Sequence, residues 1–279
     1  MSFDALVELC RGRRLAILTG AGVSTESGIP DYRGPETRRR ARNPIRFNEF
    51  MKSEAMRRRY WARAMVGWQT FADKRPNPAH AAIASLENAG RLSGLITQNV
   101  DRLHHAAGSK SVVELHGSMH SVVCLACGEV SPRAELQARL AEANPAWVDR
   151  RAEMAPDADA EIDDTTGFVV VDCAGCGGAL KPWVVFFGES VPKPRVEQAM
   201  AMVDDAEILL VVGSSLAVFS GYRFVRHASK RDQPVAIVNL GETRGDRHAC
   251  VRVEAKAGQL LPKLAAALQD PGRRDSGDA

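Results

Sequence analysis

The sequence predicts an α/β protein: a Rossmann-like parallel sheet covered by helices, with a smaller inserted zinc-binding module. Three observations predict it. Short, continuous apolar runs alternate with helix-length patterns, a glycine turn (Gly20-Ala21-Gly22) closes the first run, and two CxxC pairs stand mid-chain. Strands apolar throughout, alternating with helices, imply a parallel sheet covered on both faces. Ligands of such sheets bind beyond the carboxyl ends of the strands.

The first run, residues 15–19, reads as a buried strand feeding the glycine turn. Further strands are expected at 93–97, 112–115, 208–212 and 235–239. Each ends near polar or glycine residues: Gln98-Asn99-Val100-Asp101, His116-Gly117-Ser118, Gly213-Ser214-Ser215 and Asn239-Leu240-Gly241. Helices are expected at 78–89 and 193–206. The organisation predicted is a dinucleotide-binding domain made of 1–35, 78–120 and 181–270, interrupted twice. Residues 36–77 form an arginine-rich helical insertion, which includes Arg38, Arg39, Arg40, Arg42 and Arg46. Residues 121–180 form the zinc module, followed by a strand near 183–187. The polar stretch 271–279 reads as a disordered tail.

Composition narrows the classes further. The 279 residues are 45% apolar, and 37 Lys+Arg face 34 Asp+Glu, a net charge of +3. That balance gives no charge-based case for nucleic acid or a membrane surface. No apolar run approaches the ~20 residues of a membrane helix. Asp4 and the lack of a basic region followed by an apolar one speak against a secretory signal or transit peptide. A cytoplasmic monomer, with no membrane and no nucleic acid as partners, is the expectation.

Of six cysteines, four form Cys124-Leu-Ala-Cys127 and Cys173-Ala-Gly-Cys176; Cys10 and Cys250 stand apart. Without a secretory signal, such spacing reads as zinc before disulfide. Each CxxC turn points two thiolates at one ion, and two turns complete a tetrahedron with no open position, so the zinc is structural. Gly128 and Gly177 follow the second cysteine of each pair, suiting a turn that needs positive φ. Between the pairs lie a helix-like stretch, 134–141, and an acidic loop, 153–166, expected to be exposed and mobile.

Gly20-Ala21-Gly22-Val23-Ser24 has the small residues that let backbone N–H groups approach a diphosphate, and a following helix N-terminus would favour its charge. Thr25 stands where a full G-x-G-x-x-G needs its third glycine. The continuation is more telling: Gly28-Ile29-Pro30-Asp31-Tyr32-Arg33, then Thr97-Gln98-Asn99-Val100-Asp101-Arg102-Leu103-His104, Glu114-Leu115-His116-Gly117-Ser118, the two CxxC pairs, Val184-Val185-Phe186-Phe187-Gly188-Glu189, Gly213-Ser214-Ser215-Leu216 and Val238-Asn239. In that order, over about residues 10–265, the chain resembles the sirtuin family of NAD-dependent protein deacylases. Arg59-Tyr60-Trp61-Ala62-Arg63, Pro76-Asn77-Pro78-Ala79-His80 and Ser220-Gly221-Tyr222-Arg223-Phe224 resemble its class II branch, of the sirtuin-four type. Trp183 departs from the polar residue that sirtuins usually carry after Lys-Pro, which bears on the edge of the substrate cleft.

The resemblance implies NAD consumed as a co-substrate, with zinc structural. The acyl-lysine amide oxygen attacks C1′ of the nicotinamide ribose, and nicotinamide leaves. A base then deprotonates a ribose hydroxyl, which attacks the resulting imidate carbon, and the products are free lysine and O-acyl-ADP-ribose. His116 is the base, because a neutral imidazole accepts a proton near working pH. Asn99 would bind the ribose or a water near C1′. Asp101 would accept from the nicotinamide amide, or cap the helix starting at Arg102, or both. The remaining cofactor contacts implied are Gly20, Ala21, Gly22, Ser24, Thr25, Ile29, Pro30, Asp31, Tyr32, Arg33, Gln98, Val100, Gly213, Ser214, Ser215, Asn239, Leu240, Gly241 and Ala257.

Acylated-lysine proteins or peptides are the implied partners. Substrate would lie as an extra strand between Gly188-Glu189 and Val218-Phe219. Tyr32, Val185 and Phe187 would line the acyl tunnel or be ordinary core. Tyr60 and Arg63, neighbours on a helix, would meet an acidic acyl group; equally, Arg63 is a solvated residue of an Arg-rich helix. The runner-up function is protein mono-ADP-ribosyl transfer from the same site. A hydride-transferring oxidoreductase, which Thr25 disfavours, and a zinc-ribbon nucleic-acid module are readings from other classes.

Overall fold

The computed structural model describes residues 2–32, 44–151, 160, 162 and 164–269. Arg33, Arg38, Arg39, Arg40 and Arg42, most of the acidic loop and the tail 271–279 lie outside them.

The chain opens with α1 (Phe3–Cys10), whose first turn is capped by the Ser2 hydroxyl. β1 (Leu15–Thr19) follows, buried at every residue. After α2 (Phe47–Lys52) and α3 (Glu54–Ala72), α4 (Pro78–Asn88) returns the chain to β2 (Leu92–Thr97). Then come α5 (Leu103–Ala106), β3 (Val112–Glu114), β4 (Gly117–Cys124), β5 (Val130–Pro132), α6 (Arg133–Ala143) and β6 (Leu180–Val184). The last part runs α7 (Lys193–Asp204), β7 (Ile208–Val212), α8 (Phe219–Lys230), β8 (Val235–Val238), β9 (Val251–Val253) and α9 (Ala257–Gln269).

The large sheet has the order β3-β2-β1-β7-β8-β9, and all its pairings are parallel. In its own strand count this is 3-2-1-4-5-6, the dinucleotide-binding order, whose direction reverses between β1 and β7. Strand periodicity sorts the core into two layers. Leu15, Ile17, Leu210 and Val212 pack with residues of α1, α4 and α9. Ala16, Leu18, Leu209 and Val211 pack on the opposite face with residues of α7 and α8. The edge strand β9 was not expected, being only three residues long.

The strand expected near 183–187 is β6, and it does not join the large sheet. It pairs antiparallel with β4 in a second sheet of order β5-β4-β6. The physical reason lies one residue past His116. Gly117 sits at φ +80, and a Cβ there would overlap the Trp183 carbonyl oxygen. The chain thus turns sharply out of the parallel sheet onto β6.

The second lobe has its own core, where Phe50, Tyr60, Trp61 and Met65 of α2 and α3 meet Leu136 and Leu140 of α6 and Val122 of β4. Within the acidic loop, expected to be exposed, Ala160 is instead fully buried and accepts a hydrogen bond from Arg63. Among the described residues, no helix is long and apolar enough to cross a membrane.

Candidate active site

At the switch point, the loop after β1 meets the loop after β7. A Cβ on Gly20 would come within 2.8 Å of the Ser214 side chain, and one on Gly22 within 2.9 Å of the Gly213 Cα. Only glycine lets these backbones close to this distance. The chain then makes two 3₁₀ turns, Ala21–Val23 and Thr25–Ser27, where an α-helix was expected. Any diphosphate here would meet turn N–H groups and not a helix N-terminus. The Thr25 hydroxyl donates back to the Gly22 carbonyl (3.0 Å), which closes the turn in place of a third glycine.

Polar side chains converge on this crevice from three strand ends. Ser24 is fully buried; its hydroxyl donates to Asp101 Oδ2 (2.7 Å) and accepts from Asn99 Nδ2 (3.0 Å). Asp101 also accepts from the Leu103 backbone N–H (3.0 Å), closing a turn; the residue that caps α5 is Arg102, in the left-handed region and without a side-chain cap bond. Gln98 Nε2 donates to Ser214 Oγ (2.8 Å), linking the end of β2 to the loop after β7. Ile29 and Val100 pack below with Trp68 and Phe71.

His116 closes the arrangement. Its Nδ1 lies 2.9 Å from the Gln98 carbonyl oxygen. A carbonyl only accepts, so the proton is assigned to Nδ1 and the lone pair to Nε2. That lone pair receives the Ser220 hydroxyl at 2.8 Å. Burial lowers the His116 pKa below its ordinary value; the Gln98 bond opposes this, and the Arg195 charge reinforces it.

Two side chains that border the crevice were given no role in the sequence reading, although both fall in runs quoted there. Ser220, at the start of α8, stood in a quoted run, but nothing local tied it to His116, which is 104 residues away. His80 had a local signal, the Asn77-to-His80 capping box that starts α4. Its Nδ1 accepts from the Asn77 N–H, so Nε2 carries the proton that faces Ser24 Oγ at 3.5 Å. Burial holds its pKa down to about 4, against the pull of Asp101.

The other expected residues are less closely gathered. Asn239 is buried after β8 and donates to the Leu240 and Gly241 carbonyls. Ala257 starts α9, where Gly258 N–H reaches Glu26 (2.7 Å). Tyr32 and Phe187 meet edge to face with centroids 6.0 Å apart, and both are exposed. Val218 and Phe219 are exposed at the start of α8, and Val185 is half-buried. Gly188 has positive φ, but Glu189 turns inward: its carboxylate accepts from Phe186 N–H and pairs with buried Lys181 at 3.0 Å. Tyr60 is buried between Phe50 and Phe186, and Arg63 is held on the Ala160 carbonyl. Asp31 and Pro30 precede Tyr32, and Ser215 follows Ser214, in the same two loops.

In the second lobe, the Sγ atoms of Cys124, Cys127, Cys173 and Cys176 all lie within 4.8 Å of one another. A tetrahedral ion with Zn–S near 2.3 Å needs S···S separations of about 3.8 Å; Cys124–Cys176 is 3.5 Å and Cys127–Cys173 is 4.0 Å. Gly128 and Gly177 take the positive φ expected of them, and a Cβ on Gly178 would press within 2.8 Å of Cys124 Sγ. The Cys124 thiol is drawn down to about 6, first by the Cys127 backbone N–H. This donor set fits one zinc ion and leaves it no open position.

The fold and the site define a dinucleotide-binding Rossmann-like protein with a four-cysteine lobe. The sequence pattern of the Sir2 family matches residues 20–220. NAD-dependent protein deacetylase 1 of Mycobacterium avium is 52% identical over 265 residues, covering 93% of each chain. The mitochondrial NAD-dependent protein lipoamidase sirtuin-4 of Bos taurus is 48% identical over 257 residues, covering 90% of this chain and 82% of that protein. A solved Sir2 structure with a p53 peptide and NAD+ superposes with a TM-score of 0.79 at 29% identity, covering 95% of this chain and 98% of that one. The chain belongs to the Sir2 family.

Proposed function

We propose that this chain is an NAD-dependent protein-lysine deacylase acting on acylated-lysine proteins or peptides, with His116 as general base. One observation carries the reading: His116 presents an unprotonated Nε2 at the sheet edge, with Nδ1 tied to Gln98 and Gln98 tied to the glycine-lined crevice.

Bound NAD would supply the electrophilic C1′ of its nicotinamide ribose. Gly20, Gly22 and Gly213 let the two loops close against each other and leave room for its diphosphate, and Asn99 and Asp101 orient the nicotinamide end. His116 Nε2 takes the proton of a ribose hydroxyl, a transfer that a base with lowered pKa can accept at neutral pH. Cys124, Cys127, Cys173 and Cys176 would hold zinc away from this chemistry. The same reading divides the chain into the NAD-binding domain (1–35, 78–120, 181–270), the helical insertion (36–77) and the zinc module (121–180), with β4 and β6 as the connecting strands. Tyr60 and Arg63, both held in the second lobe, remain candidates for an acidic acyl group.

The test is incubation of the purified chain with NAD and a panel of acyl-lysine peptides, read by mass spectrometry. Free lysine, nicotinamide and O-acyl-ADP-ribose are expected together. NAD left intact with every peptide would overturn the reading, and nicotinamide release that never depends on the acyl group would move it to ADP-ribosyl transfer.

A further inference from the structure

The start of α8 carries a concentration of unpaired positive charge that the deacylation reading does not use. Arg223 and Arg226 both stack over the exposed Phe219 ring, at 5.3 and 6.0 Å from its centroid. Arg247 donates to Tyr222 Oη on the same helix (2.7 Å), and Arg244 stacks on the Tyr222 ring at 4.4 Å. Arg247 Nε also donates to His248 Nε2 (3.2 Å), and burial, then the Arg247 and Arg226 charges, lower the pKa of that imidazole.

Glu242 and Asp246 border the Arg244–Arg247 side, but Asp246 is already paired with Arg252 at 3.3 Å. Among the described residues, no carboxylate lies within 4.0 Å of Arg223, Arg226, Arg244 or Arg247. Stacking on an aromatic face fixes a guanidinium while leaving its in-plane N–H donors free. Arg223 Nε is out of solvent and has no hydrogen-bond partner. Phe219 itself borders the expected substrate strand, and the adjacent Ser220 touches His116.

We propose that Arg223 and Arg226 form a docking face for an acidic polypeptide segment next to the acyl-lysine, so that the enzyme favours modified lysines flanked by Asp or Glu. The proposal rests on the deacylase reading for its substrate. Guanidinium forks suit carboxylates, and at a solvated rim they set preference and encounter more than raw affinity.

The test uses two acyl-lysine peptides that differ only in Glu against Gln at the flanking positions, with the wild-type chain and an Arg223→Gln/Arg226→Gln double variant. Wild type should show a KM for the Glu peptide lower by about fivefold, the size two exposed ion pairs support. The preference should shrink as ionic strength rises. In the double variant the ratio of the two KM values should fall towards one, with the KM for NAD moving equally little on either peptide. A ratio taken on one preparation does not depend on the fraction folded. Equal KM values in wild type, or a ratio that survives the double substitution, would overturn the proposal, and a changed KM for NAD alone would assign the arginines to the dinucleotide. Fluorescence anisotropy of the same labelled peptides reads the preference without turnover. If neither peptide is deacylated but the Glu peptide binds tighter, the deacylase reading fails and the docking face stands.

Discussion

His116 carries its one proton on the nitrogen that faces the Gln98 carbonyl, which leaves Nε2 as the only basic atom it can offer. His116→Ala should abolish deacylation while zinc content is kept. Retained turnover above about a tenth of wild type, roughly 1.4 kcal/mol in barrier, would refute the base. Because burial lowers its pKa, kcat/KM should stay flat from neutrality down past the ordinary imidazole value of about 6.5 before falling. Ser220 donates to the lone pair that only the neutral ring has. Ser220→Ala removes that stabilisation, so the acid limb of the pH profile should move to higher pH, and Ser220→Thr should restore it. An unmoved limb would show that the hydroxyl does not tune the base. His116 was legible because it follows a strand inside a recognisable run. Ser220 was not, because its meaning comes wholly from a side chain distant in sequence.

At the scale of elements, two junctions decide how the site is held. The first is the step from β3 to β4, where Gly117 combines φ +80 with contact against Trp183. Gly117→Ala should cost at least about 2 kcal/mol by urea unfolding, since strain and overlap act together, and should lower activity through His116. Wild-type stability in that variant would mean the turn is not under constraint. The second is α4, whose His80 lies 4.7 Å from His104 ring to ring, both fully buried. His80 titrates at about 4 in the folded chain and at about 6.5 unfolded. As pH falls below 6.5, the unfolded chain therefore takes up the proton first. Stability is complete above that value and declines until about pH 4, by on the order of 2–3 kcal/mol. His104, whose pKa burial also lowers, adds in the same direction. Thermal melts across pH 7 to 4 should show the decline, and His80→Gln should flatten part of it. The five strands expected in the parallel sheet were readable as apolar runs. The strand expected near 183–187 carried no sheet assignment; its partner is chosen by the Gly117 turn, which no local pattern encodes.

At the scale of the molecule, the cysteine spacing made the metal lobe legible, but not that the lobe includes the helical insertion. Arg133 of α6 is buried between Trp61 and Trp68 of α3, at 5.4 and 5.0 Å, and donates to the Ala64 carbonyl. Trp61 in turn donates to the carbonyl of Leu180, the first residue of β6. Two segments far apart in sequence thus share one core, and that core includes the ligand Cys124. Binding energy of a structural zinc is folding energy, so its loss should loosen α3 and α6 together while the parallel sheet keeps its separate layers. All four tryptophans (Trp61, Trp68, Trp147 and Trp183) belong to this lobe or to β6, and none to the large sheet. Tryptophan emission therefore reports mainly the second lobe, with Trp68 also sensing its junction with Ile29 and Leu103 below the crevice. A strong chelator, or Cys124→Ser, should shift that emission to the red and lower the first melting transition, with much of the far-ultraviolet dichroism of the NAD-binding lobe retained. If emission and melting match the zinc-loaded chain, the four thiols do not hold a structural ion. If dichroism and emission are lost in one step, the two cores are coupled more tightly than their separate packing implies.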